Sequence, residues 1–521
     1  MGRSAALGPS PGRPPLFRHP AQSGGADSLT TTEGRASTEA RRRVLFITRD
    51  FPPSRTMGAQ ACAQIARYLP LYGWDPIILT VRERHADSPD PSDRGGFSGT
   101  IVRTGVVPHP VSIYRTLKAL RGSSGAGPGN YWGDGNGRQG GHMRRRLLSV
   151  LEAPDTYTGW IPPATIAGLR AIHRWRITHL LSSAPSWTNH LVGLTLAGLT
   201  GLPWMVHLRD PWTQVPANNK PVSGQSRRLE QWLERLVMSR ADFVACVTER
   251  HTSLLRQVFA LPAEKFVTIP NGYDEAEWNG SAPPPVPSGS PDRRRFVITY
   301  MGSLYVGRSP RPLFHALRRL IDAGDLPPDD LRVDLVGCCD MVEGVAVSEM
   351  ATEFGLGGCV HIASPLSRPE TLRRMAASDL LLLIQEGWNL QIPGKTYEYL
   401  RAGRPILAIT TEGALSDLLQ RTGGAWVVAP TDVPAIAAAV REAHLAWKRG
   451  DSVPAADPAL VTGFDRRVLT GRVAALLESV AAGRQPHEHA STSREGERSR
   501  IESKTFPAPQ GTSERAVTEP L

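Results

Sequence analysis

Lys395 and Glu398 stand three residues apart in Pro393-Gly394-Lys395-Thr396-Tyr397-Glu398-Tyr399-Leu400-Arg401-Ala402-Gly403, at the start of a short predicted helix. Gly403 is a good C-terminal cap, Pro405 blocks continuation, and an apolar strand follows. The preceding run Leu380-Leu381-Leu382-Leu383-Ile384 is itself strand-like. Open α/β sheets bind ligands outside the carboxyl ends of their strands, where helix N-termini point. A helix N-terminus favours phosphate, a lysine adds charge, and a carboxylate accepts hydrogen bonds from sugar hydroxyls. This local chemistry suits a nucleotide sugar. The plainer alternatives are a solvated glutamate stabilising a helix N-terminus and a surface lysine.

Two look-alikes fail. Gly394-Lys395-Thr396 imitates the end of a P-loop, but Asn389 occupies the place where the earlier glycine is required. The glycine run at 125–129 follows no strand, so it is no dinucleotide fingerprint. Elsewhere, Arg209-Asp210 stands beside Trp212 at the carboxyl end of a predicted strand. That pair suits acceptor binding or proton handling; a salt bridge within a turn is the alternative. His190 starts a helix after Ser182-Ser183-Ala184-Pro185-Ser186, and a lone histidine there is either a site residue or structural. Gly58 lets a loop backbone approach a ligand closely, or is simply a turn glycine.

These residues need elements to position them. Val44–Thr48, a helix at 59–72 and Pro76–Val81 form a βαβ unit. The region 83–150 reads as an irregular insert. Strands are expected at 178–181, 204–208, 243–247 and 266–269, alternating with helices near 162–176, 188–199, 226–239 and 250–258. A proline-rich linker at 281–294 separates this from a second α/β series. That series holds strands at 296–301, 333–336, 359–362, 379–384, 405–409 and 425–429, and helices at 312–323 and 432–447. Domain bounds of 42–280 and 295–455 follow, with a final helix at 464–482. The tails 1–41 and 485–521 have the composition of disordered segments.

The chain has 521 residues, enough for two or three domains, and 40% hydrophobic residues support ordinary cores. Five scattered cysteines form no metal or disulfide pattern, which fits a reducing cytoplasm. No apolar run reaches the roughly 18 residues of a membrane span. The net charge of +11 reads as arginine-rich tails and solvated faces, or as attraction to anionic lipid or substrates. Arg144, Arg145 and Arg146 are the best local candidates for peripheral contact with an anionic membrane, on its inner face. No aromatic-basic interleaving points to nucleic acid.

The order of these segments resembles GT-B glycosyltransferases of family 4. Residues 44–82, with Phe51-Pro52-Pro53, resemble their opening. Ile269-Pro270-Asn271-Gly272-Tyr273-Asp274 is similar to the segment closing their N-terminal domain. Tyr300-Met301-Gly302-Ser303-Leu304 resembles the first strand and glycine loop of their donor domain. Residues 392–409 resemble a donor segment of the subtype Pro-Ser/Gly-Lys-x-x-Glu-Tyr. The resemblance implies two Rossmann-like domains facing across a cleft, with the last helix crossing back to the first. It implies a nucleotide-diphosphate sugar donor, a hydroxyl acceptor (glycan, lipid-linked or small molecule), retention of configuration, and neither metal nor cofactor.

By the same resemblance Glu398 holds the nucleotide ribose. Lys395, Arg308, Arg311 and the loop at Gly302 face the diphosphate. His190 lies near the transferring sugar, with Arg209 and Asp210 in the acceptor wall. The chain departs from the pattern at Leu390, where the family often has a first glutamate eight residues before Glu398. Either Glu386 reaches the same place through an insertion, or this subtype does without it. Rival readings are an inactive GT-B scaffold that binds a partner and a nucleotide-sugar 2-epimerase.

Overall fold

The computed structural model describes residues 42–87, 96–108, 153–214, 224–278, 295–451 and 455–483. The expectations for Arg144, Arg145 and Arg146, for the linker 281–294 and for both tails lie outside them.

Long apolar runs make strands buried on both faces, and such strands build parallel sheets covered by helices. Leu380–Gln385 is buried at every position, and Trp204–Leu208 likewise. The first sheet has seven strands in the order β3-β2-β1-β4-β5-β6-β7. They are β1 (Arg42–Ile47), β2 (Trp74–Val81), β3 (Ile101–Thr104), β4 (His179–Ser183), β5 (Trp204–Leu208), β6 (Phe243–Cys246) and β7 (Phe266–Thr268). All pair in parallel. β3 falls inside the stretch expected to be irregular. It is an edge strand with three of four residues only half-buried, so it leaves no apolar run to read.

The second sheet runs β12-β9-β8-β13-β14-β15, again parallel. Its strands are β8 (Phe296–Met301), β9 (Leu331–Val336), β12 (Val360–Ala363), β13 (Leu380–Gln385), β14 (Ile406–Thr410) and β15 (Ala425–Val428). Between β9 and β12 a small antiparallel hairpin pairs β10 (Met341–Val342) with β11 (Val345–Ala346). The fold is thus two Rossmann-like parallel sheets.

The last helix, Arg466–Gly483, returns to the first sheet. Its Leu469, Val473, Ala474 and Leu477 are buried in one core with Val44, Phe46, Ala66 and Leu69. Tyr72 Oη donates to Arg467 O at 2.8 Å. No helix among the described residues is long and apolar enough to cross a membrane.

Candidate active site

In each sheet the strand order reverses beside the first strand, between β1 and β4 and between β8 and β13. A ligand crevice opens at such a reversal, outside the carboxyl ends of the strands. A cavity of about 310 Å³ lies there, walled by both halves. Gly58 follows β1, Pro185 follows β4, and Arg209 and Asp210 follow β5. Across from them Tyr305 and Arg308 follow β8, while Gln391, Gly394 and Glu398 follow β13.

Glu398 sits in the first turn of the helix Lys395–Ala402 and is 5% exposed. It is not solitary: Arg368 Nη2 lies 2.6 Å from its Oε1 and 2.7 Å from Glu277 Oε2. Burial opposes the Arg368 charge, but the two carboxylates outweigh it and raise its pKa above the ordinary value. Arg308 stacks on Tyr305, 4.3 Å from the ring centre, and its buried Nε has no partner.

Lys395 and Gly302 stand behind this wall rather than in it. Lys395 Nζ donates to Met301 O at 2.7 Å and lies 3.4 Å from the Tyr300 ring centre. Burial, helped by Arg308, lowers its pKa well below that of an ordinary lysine. Gly302 adopts φ +124°, open to glycine, and a Cβ there would lie 3.4 Å from Lys395 Nζ.

Two donor-side candidates, Arg311 and Glu386, stand outside the lining of this cavity. Arg311, at the first position of its helix, turns to Glu353 at 3.2 Å and to the Phe354 ring, away from the cavity. Glu386 is exposed and does not line it. Gln385 Nε2 ties the following loop to Trp388 O and Gln391 O, and Glu386 N–H is held to Gly307 O at 2.8 Å. These bonds fix the loop with Glu386 on its exposed side. Leu390 contributes its carbonyl, which accepts from Thr248 Oγ1 at 2.7 Å across the two halves.

On the facing wall, Asp210 Oδ1 accepts from Gln391 Nε2 at 2.6 Å. Burial raises its carboxyl pKa, against the pull of Arg209. Gly58 lies in the first turn of the helix Met57–Tyr68. A Cβ on it would meet Arg209 Nη1 at 2.9 Å and Asp50 Oδ2 at 3.0 Å. Its bareness admits those two charged groups beneath the helix start. Burial pushes Asp50 up to about 6, opposed by Arg49 and Arg209.

His190, too, is outside the cavity lining. It is fully buried, with Nδ1 2.8 Å from Ser182 Oγ, and packs beside the stacked Trp187 and Trp212 rings. Burial depresses its pKa to about 3, so it is a neutral core imidazole at pH 7.

Sequence reasoning missed Arg368, Arg466, Gln391 and Asp50. Arg368 begins the helix Arg368–Ala377, and Arg466 begins the returning helix. Neither stands in a local pattern, so only the tertiary fold brings them to the cavity. Among the described residues no group of three His, Cys, Asp or Glu could hold a metal.

Residues 58–272 match the family model described as Glycosyl transferase 4-like domain, and residues 295–444 match Glycosyl transferases group 1. No curated protein matches. Among solved structures, sucrose-phosphate synthase from Thermosynechococcus elongatus aligns with a TM-score of 0.56 at 14% identity, covering 85% of this chain and 100% of that one. A glycosyltransferase from Rickettsia africae aligns at 0.54 and 10%, covering 85% and 99%. Anabaena HepE, in complex with UDP-glucose, aligns at 0.50 and 15%, covering 84% and 99%. At these identities the likeness is one of fold. With both halves matched in order and two facing parallel sheets, the chain belongs to the GT-B glycosyltransferases.

Proposed function

We propose that the protein transfers a sugar from a nucleotide-diphosphate sugar to a hydroxyl acceptor, with retention of configuration and without a resident metal. The observation that carries this reading is the shared cavity, where Glu398 and Arg308 from one half face Arg209 and Asp210 from the other. Segment 393–399 then acts as a donor motif of the subtype Pro-Ser/Gly-Lys-x-x-Glu-Tyr. Glu398, held by Arg368, accepts from the ribose. Arg308 stabilises the diphosphate as it leaves, and Lys395 behind it fixes the loop at Gly302. The acceptor hydroxyl approaches from the Arg209–Asp210 wall and attacks on the face the diphosphate leaves. The departing phosphate takes the proton. Bonds across the cleft, such as Asp210 to Gln391, favour a closed site that excludes water.

UDP-glucose, the ligand of the Anabaena protein, is the first donor to test. Acceptor-dependent UDP release from a mixture of hydroxyl acceptors is expected, with product anomer read by NMR. Glu398→Gln should weaken donor binding about tenfold, roughly 1.4 kcal/mol, with little change in melting temperature, because Arg368 keeps Glu277. Unchanged donor affinity and turnover in that variant would sink the assignment. A cytoplasmic protein resting on anionic membrane through Arg144, Arg145 and Arg146 belongs to the same proposal. Co-sedimentation with anionic vesicles should then be lost at raised salt.

A further inference from the structure

Three arginines line the cavity with an unpartnered buried nitrogen, and two of them form a group of their own. Arg209 Nε and Nη1 and Arg466 Nε are buried without a hydrogen-bond partner. Among the described residues the side-chain hydrogen bonds of this pair are long, at 3.4 Å: Arg209 Nη2 to Met57 O, and Arg466 Nη2 to Asn271 Oδ1. Arg466 is 6% exposed. Burial and the neighbouring Arg209 charge pull its guanidinium down to about 10. The contrast is Arg368, lining the same cavity, to which the chain supplies two carboxylates. Arg466 is buried and Arg209 half-buried, and among the described residues neither guanidinium has a carboxylate within ion-pair distance, so the two together call for an anion from outside.

The two arginines are set apart from the donor side by the elements that carry them. Arg308 and Lys395 belong to the second sheet. Arg209 follows β5, and Arg466 touches Asn271 at the end of the first half. Asp210, next to Arg209 in sequence, is directed to Gln391. Two guanidiniums match a dianion with three terminal oxygens; one bidentate arginine would satisfy a carboxylate.

We propose that Arg209 and Arg466 form an acceptor subsite for a phosphomonoester, so that the acceptor is a phosphorylated molecule. This rests on the reading that the nucleotide end lies at Glu398 and Arg308. The test is calorimetric titration of the full chain with glucose 6-phosphate at saturating UDP. Saturable binding in the presence of UDP is expected. R466Q and R209Q should each weaken glucose 6-phosphate at least tenfold and UDP less than threefold, and R308Q should do the reverse. R209Q, in a half-exposed loop, decides the matter if R466Q does not fold. Phosphatidic acid vesicles run in parallel separate the sources. Vesicle binding without sugar-phosphate binding, lost in R209Q, assigns the phosphate to a lipid and supports the subsite. Displacement of glucose 6-phosphate by UDP, equal weakening of both ligands in R209Q, or no binding of either phosphate probe overturns it. If UDP itself does not bind, the donor reading fails, and glucose 6-phosphate titrated alone still decides the subsite.

Discussion

His190 has the residue type of a proton carrier, but its surroundings hold it neutral. Its folded pKa of about 3 lies below the ordinary 6.5. Below pH 6.5 the unfolded chain therefore binds a proton that the native state refuses. Stability is full above 6.5 and falls as pH drops toward 3, by about 1.4 kcal/mol per pH unit for each such histidine. His207, likewise buried and depressed to about 3, adds the same slope. Urea unfolding at a series of pH values should show a shallower dependence in His190→Gln between pH 6 and 4. An imidazole NMR signal of His190 titrating near 6.5 would refute this. Glu398 and Lys395 were legible in the sequence because a strand, a helix start and a glycine cap lie within some twenty residues of them. What each touches was not legible. Arg368 on Glu398 and the Met301 carbonyl on Lys395 arrive from distant segments.

Elements show the same division. Strands such as β5 and β13 announce themselves because every residue is buried. β3 does not, because an edge strand leaves half its surface in solvent. The loop after β13 was also unreadable, since Gln385 shapes it through backbone carbonyls rather than through a turn signature. Gly58, expected as a loop glycine that a ligand approaches, lies inside a helix start, and the groups beside it are Arg209 and Asp50. Gly58→Ala would press its methyl group against the Arg209 guanidinium and the Asp50 carboxylate rather than against backbone. The helix gains up to about 1 kcal/mol from alanine, which offsets the crowding. The melting temperature should stay within a few degrees of the wild type, while acceptor kcat/KM falls about tenfold as the guanidinium shifts. Wild-type kinetics in this variant would show that the placement of Arg209 is unimportant.

At the scale of the whole molecule, two parallel sheets in tandem were legible from the alternation of strands and helices on either side of a proline-rich stretch. How tightly the halves engage was not. Arg250 meets Asp417 and Glu412 across the cleft, and Thr248 reaches the Leu390 carbonyl, all pairs without local sequence signals. The returning helix Arg466–Gly483 has a further effect, on the order of assembly. During synthesis the first sheet leaves the ribosome early, yet the surface formed by Val44, Phe46, Ala66 and Leu69 waits for Leu469, Val473 and Leu477. A fragment of residues 42–278 should therefore bind a hydrophobic dye and aggregate. Adding residues 455–483 in trans should suppress both, and a soluble, dye-silent fragment would contradict this. The half made first is thus the half finished last, and a nascent chain stalled before this helix would present chaperones with an open apolar face.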